Sequence, residues 1–158
     1  MNNKEKPSIL VVCMGNICRS PTGESVLKAK AKEKGINIKV DSAGTLGYHQ
    51  GNAPDSRSQQ AGEMRGYCFD GITARKVREN DFTDFDLILA ADKANLADLY
   101  DICPSEHQHK LSLFLSHSKS EYDEIPDPYY GGDKGFELVL DLIEDAAEKI
   151  LEQHFQTR

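Results

Sequence analysis

Apolar positions along this chain alternate between short unbroken runs and longer stretches with helical spacing. Ser8 to Val12 is a run of strand length, and Asp86 to Ala91 (Asp-Leu-Ile-Leu-Ala-Ala) is a second. Ile36 to Asp41 and Leu111 to Leu115 predict two further strands, and the Gly- and Ser-rich Ser42 to Asn52 a long loop. A helix is predicted after the first strand, with Ser20 as N-cap and Pro21 as its first helical residue. Its basic last turns, Lys28 to Lys34, are closed by Gly35. Pro54 to Arg65 predicts a short helix, and Lys93 to Ile102 another, stopped by Pro104. Phe136, Val139, Leu140, Ile143, Ala147, Ile150 and Leu151 share one face of a long final helix. Strands this apolar, alternating with helices, imply an α/β fold with a parallel sheet covered on both faces. Ligands of such folds sit beyond the C-terminal ends of the strands.

Composition narrows the class. The 158 residues suit one domain, with the polar residues 1–6 read as a flexible start. Neither a signal peptide nor a run of 18 apolar residues is present, so the expected location is the cytoplasm, with no membrane partner. The four cysteines include no C-x-x-C pair, which argues against both a disulfide framework and a zinc cluster. A net charge of −7 with no basic patch disfavours nucleic acid.

Candidate chemistry begins where the first strand ends, at Cys13-Met14-Gly15-Asn16-Ile17-Cys18-Arg19-Ser20-Pro21. A tight loop that opens a helix converges its free backbone N–H groups on one space, which suits an anion. Arg19 adds a two-pronged charged donor, and Gly15 permits close approach. A thiol held among such donors is favoured as thiolate, making Cys13 a nucleophile aimed at phosphorus. The Ser20 hydroxyl is placed to hydrogen-bond that sulfur, and Asn16 is a residue that tolerates positive φ at the sharpest bend. The cysteine-to-arginine spacing alone is weak evidence; the strand, glycine, serine and proline around it carry the inference.

A second feature lies at Ile125-Pro126-Asp127-Pro128-Tyr129-Tyr130-Gly131. Two prolines stiffen the backbone around one carboxylate beside two aromatic rings. Taken alone this is an ordinary surface turn. Cleaving a phosphate ester needs a general acid for the leaving oxygen, however, and Asp127 is the best-framed candidate.

These motifs, with Asp41-Ser42-Ala43-Gly44-Thr45, Ala74-Arg75 and the Asp86 to Asp92 strand in the same order, resemble the low-molecular-weight protein tyrosine phosphatases over nearly the whole chain. The resemblance implies a flavodoxin-like three-layer fold with a four-stranded parallel sheet flanked by helices. It implies hydrolysis of phosphotyrosine through a phosphocysteine on Cys13, with Arg19 as phosphate clamp and Asp127 as acid and then base. Met14, Gly15, Asn16, Ile17 and Cys18 complete the loop, which Asn16, Ser20 and Ser42 support. Ile17, Tyr48, Tyr129 and Tyr130 match the positions that wall the pocket. No cofactor or metal is implied. The expected partner is a phosphotyrosine-containing protein such as a tyrosine kinase, and the expected state a monomer or weak homodimer. Family members usually carry a histidine two residues before the Ala-Arg pair; this chain has Ile72, so Asn16 must be braced otherwise.

Other residues read more plainly. Cys18 is placed to capture an oxidised Cys13 as a disulfide, or else packs beneath the loop. His107 and His109 have strand-like spacing but no third ligand, His49 reads as a solvated loop residue or else as one at the pocket rim next to Tyr48, and Cys68 and Cys103 as structural or exposed thiols. Asp141, Glu144, Asp145 and Glu148 read as the wet face of the last helix. An arsenate reductase on the same fold would need a close pair of downstream cysteines, which Cys68 and Cys103 are not. A phosphoarginine phosphatase typically has threonine where Ile17 stands.

Overall fold

The structure is a computed structural model that describes residues 7–118, 120–128 and 132–154. The expectation for residues 1–6, and those for Tyr129 and Tyr130, lie outside the described residues. Four strands, β1 (Ser8–Cys13), β2 (Lys39–Gly44), β3 (Leu87–Ala90) and β4 (Leu111–Leu113), form a parallel sheet in the order β2-β1-β3-β4. Successive strands therefore leave β1 in opposite directions, and the crevice beyond its C-terminal end is the topological switch point of the sheet.

Alternation along β1 sorts its side chains into two cores. Ile9, Val11 and Cys13 face the helices α1 (Arg19–Lys34) and α5 (Gly132–His154). Leu10 and Val12 face Phe82 of α3 (Glu79–Asp84) and Leu99 of α4 (Lys93–Ile102). Residues Ile9 to Val12 have no exposed surface, as expected of a strand covered on both faces. All seven apolar positions predicted for the last helix are buried. At about 1.5–3 kcal/mol for each large side chain, this packing rather than helix propensity holds α5 in place.

The structure moves several boundaries. Helix α1 starts at Arg19, with Cys18 at the N-cap and no side-chain cap bond, so Ser20 is not the cap. Its hydroxyl is occupied elsewhere, against Cys13. Gly35 does end the helix, at φ 71°, and Ile36 N donates to Ala31 O at 2.9 Å. Ile36 is consumed by that cap, which pushes β2 three residues beyond its predicted start. Ser42, Ala43 and Gly44 then continue the strand, opposite Val11, Val12 and Cys13. Glycine is required at 44 because a Cβ there would lie 2.7 Å from Met14 O.

The short helix α2 (Ser56–Glu63) is capped by Asp55, which accepts from Arg57 N and Ser58 N. Helix α3, six residues long, was not predicted; Asp81 anchors it by accepting from Arg78 N and from the Arg75 guanidinium. Strand β4 stops at Leu113, where a 3₁₀ turn (Phe114–His117) begins. His107 and His109 lie on another 3₁₀ turn (Ser105–Lys110), not on a strand. The acidic face of α5 is laced with ion pairs: Arg65 reaches Glu137, Asp141 and Glu144, and Lys30 and Lys34 reach Glu148.

Candidate active site

Strand β1 delivers Cys13 to the switch point, and the chain curls through residues 14–18 before entering α1. Asn16 takes the bend at φ 59°. That turn folds its own N–H back onto Cys13 Sγ at 3.3 Å. Ser20 Oγ lies 3.0 Å from the same sulfur. This hydroxyl accepts from Asn16 Nδ2 at 2.8 Å, and of the two acceptors in reach of its own hydrogen the sulfur is nearer than Ala43 O at 3.5 Å. Two donors thus converge on Cys13.

The remaining loop amides point elsewhere. The N–H groups of Gly15, Ile17 and Cys18 have no acceptor among the described residues. Arg19 is 6% exposed and spends Nη1 on Asp92 Oδ2 and Ile125 O, both at 2.9 Å. This anchoring leaves the Nε and Nη2 edge without a protein partner among the described residues, in the geometry that grips an anion with two parallel bonds. Asp92 also caps α4, accepting from Asn95 N at 2.8 Å. One carboxylate therefore ties the guanidinium to the end of β3.

Asn16 is braced on every side. Nδ2 donates to Ser20 and, at 3.0 Å, to Ser42 Oγ, while Oδ1 accepts from Arg75 N at 2.9 Å. Ser42 in turn donates to Glu24 Oε1 at 2.6 Å, and Lys28 Nζ neutralises the buried Glu24 from the next turn, also at 2.6 Å. Sequence reasoning found Asn16, Ser20 and Ser42 but not Glu24 or Asp92. The signal for Glu24 was its spacing, four residues after Ser20 and four before Lys28 on one helical face.

Cys13, the loop, Arg19 and Asp127 line one cavity of about 360 Å³, open to solvent. Ile17 and Cys18 lie on its walls. So does His49, whose ring covers Gly15 closely enough that a Cβ there would meet it at 3.0 Å. Tyr48, expected as a wall, is 85% exposed and does not line the cavity; the neighbouring histidine stands in its place. Met14, half exposed, forms part of the rim. Burial pushes the Cys18 thiol up to about 12, reinforced by Asp55 against a hydrogen bond to Ser58, so this neighbour of the nucleophile stays protonated at neutral pH.

The profile described as low molecular weight phosphotyrosine protein phosphatase matches residues 8–157. This chain belongs to that family. It is 40% identical over 147 residues to the low molecular weight protein-tyrosine-phosphatase YfkJ of Bacillus subtilis, covering 91% of this chain and 93% of that protein. It is 39% identical over 147 residues to the Homo sapiens low molecular weight phosphotyrosine protein phosphatase, covering 88% and 90%. Its fold matches the crystal structure of an Entamoeba histolytica protein tyrosine phosphatase with Hepes in the active site, at TM-score 0.90 and 41% identity over 94% and 96% of the two chains. Within this low molecular weight phosphatase, Ile72 is 7% exposed and packs in the core beside α5. Ser20, Ser42 and Arg75 N supply the three bonds to the Asn16 side chain.

Proposed function

We propose that this protein hydrolyses phosphotyrosine by two displacements at phosphorus. The observation that carries the reading is the convergence, in one cavity, of Cys13 Sγ, the open loop amides, the free edge of Arg19 and Asp127. In the first step Cys13 Sγ bonds to phosphorus, the bond to the phenolic oxygen breaks, and Asp127 gives that oxygen its proton. In the second, water attacks the phosphocysteine, Asp127 takes a proton from it, and inorganic phosphate leaves with the thiolate restored. Arg19 and the loop amides hold the equatorial oxygens throughout. Asn16, Ser20 and Ser42 keep the loop curled, and Ile17 walls the ring of the substrate. No step calls for a cofactor.

Matched peptides bearing phosphotyrosine, phosphoserine or phosphoarginine test the assignment. Phosphate release from the tyrosine peptide alone is expected, because the apolar wall supplied by Ile17 favours a flat aromatic ring; release confined to the phosphoarginine peptide overturns it. The physiological partner on this reading is a phosphotyrosine-bearing protein. The reducing cytoplasm suits an enzyme whose four cysteines are all free thiols.

Cys18 protects the nucleophile in the same scheme. Peroxide oxidises Cys13 to a sulfenic acid; the Cys18 thiol then displaces hydroxide from that sulfur, an S–S bond forms and water leaves. After a peroxide pulse and dithiothreitol, wild type is expected to regain most of its activity and Cys18→Ser only a small part. Equal recovery would remove the role.

A further inference from the structure

Two histidines that line no part of the catalytic cavity meet where the turn after the edge strand packs on the last helix. His117 closes the 3₁₀ turn (Phe114–His117) that follows β4, and His154 is the final residue of α5. Phe114 and Leu115 of that turn are buried in the same core as Ile143, Ala147, Ile150 and Leu151 of α5, which fixes the two backbones against each other. Gln153 adds a second tie, its Nε2 donating to His117 O at 3.5 Å. The fold itself therefore brings the two imidazoles together.

They meet nitrogen to nitrogen. His154 Nε2 lies 3.4 Å from His117 Nδ1, with the ring centroids 5.1 Å apart and the planes at 73°, so the rings are not stacked. The second nitrogen of His117, Nε2, is 3.0 Å from Ser112 Oγ on β4. A proton held on that bond leaves Nδ1 as a bare lone pair beside His154. Metal-ligating histidines are ordinarily oriented by such a hydrogen bond from the nitrogen that does not bind the metal. A direct N–H···N bond between the rings is the plainer account of the contact. The separation of 3.4 Å is nevertheless longer than a well-formed N–H hydrogen bond, about 2.7–3.2 Å. It matches the edge of a tetrahedron whose centre lies about 2.0–2.1 Å from each nitrogen, the bond length of zinc to imidazole.

We propose that His117 Nδ1 and His154 Nε2 form a surface site for a divalent transition-metal ion of the zinc class, which clasps the end of α5 to the turn after β4. Imidazole suits zinc, copper and nickel, whereas magnesium and calcium prefer oxygen donors. Among the described residues no group of three or more histidines, cysteines and carboxylates forms a metal cluster, so the protein supplies two ligands and water the others. Half the ligand set of a structural zinc site implies a dissociation constant of about 1–100 μM. The ion takes no part in phosphate transfer. It ties together two elements that the core already packs, independently of the chemistry at Cys13.

Titration calorimetry with zinc chloride tests the site in Cys13→Ser protein, where the catalytic thiolate cannot compete for the metal. One ion is expected to bind with a dissociation constant of about 1–100 μM, and magnesium chloride is expected to give no heat of binding. Adding His154→Gln, which replaces an exposed side chain and leaves the core intact, is expected to weaken zinc binding by about tenfold or more. Adding His109→Gln instead, which removes a histidine elsewhere, is expected to leave it unchanged. Zinc should also shift the imidazole resonances of His117 and His154 together in NMR spectra, while those of His107 and His109 stay in place. No binding at about 1 mM zinc, affinity that is unchanged in the His154→Gln protein, or an unmoved His117 resonance at saturation each overturns the site.

Discussion

Cys13→Ser is expected to abolish phosphatase activity, by about 10⁵–10⁶-fold, the scale set by removal of a covalent nucleophile. A serine hydroxyl at this position keeps its proton at neutral pH, and its oxygen lacks the polarisable charge that attacks phosphorus. The donors facing residue 13, Asn16 N and Ser20 Oγ, lie at 3.3 and 3.0 Å from a sulfur and stabilise its anion specifically. The anion cradle itself survives the substitution, because it is made of the loop backbone and of Arg19, which Asp92 and Ile125 O hold independently of Cys13. Titration calorimetry with vanadate should therefore still detect binding to the inactive variant. Turnover at more than a thousandth of the wild-type rate would end the covalent mechanism.

Asp127→Ala is expected to lower turnover of phosphotyrosine peptides by about 10²–10⁴-fold, the usual worth of general acid catalysis. Asp127 lines the catalytic cavity across from the loop, exposed enough to meet water in the second step. The reaction requires opposite protonation states side by side: an ionised sulfur to attack and a protonated carboxyl to release the phenol. A bound phosphate dianion repels the ionised carboxylate and so favours the form that can donate. In the first step the loss should be far smaller with p-nitrophenyl phosphate, whose leaving group needs little help, and the acidic limb of the pH profile should move. Burst kinetics separates the two steps. Identical losses in the phosphorylation step for good and poor leaving groups would reduce Asp127 to a structural turn.

What the sequence made legible was what is local along the chain. Residues 13–20 form one curl, so their order alone predicts the loop, and helix α4 falls at the predicted Lys93–Ile102 because Asp92 caps it and Pro104 stops it. The four strands are recognisable as apolar runs, but the register of β2 is set by pairing with β1 and by the Gly35 cap, neither of which its own composition reveals. Helix α3 carries too few residues to show a period. Glu24, Asp92 and Arg75 reach the site only through tertiary contacts, and Glu24 in particular resembles any surface acid until Ser42 is brought against it. At residues 48–50 the chain forms a turn, and it is His49 rather than Tyr48 whose side chain lines the cavity, a choice made by the turn's geometry and not by composition.

The bracing of Asn16 draws on three stretches that are far apart in the chain: α1 through Ser20, β2 through Ser42, and the segment at Arg75. All three bonds form together only when α1, β2 and the Arg75 segment are docked on one another. On the proposed mechanism, the set of donors around Cys13 is accordingly not carried by the loop as a peptide but is complete only when the fold is complete. The same bonds that shape the site thus keep it silent until the protein around it is whole.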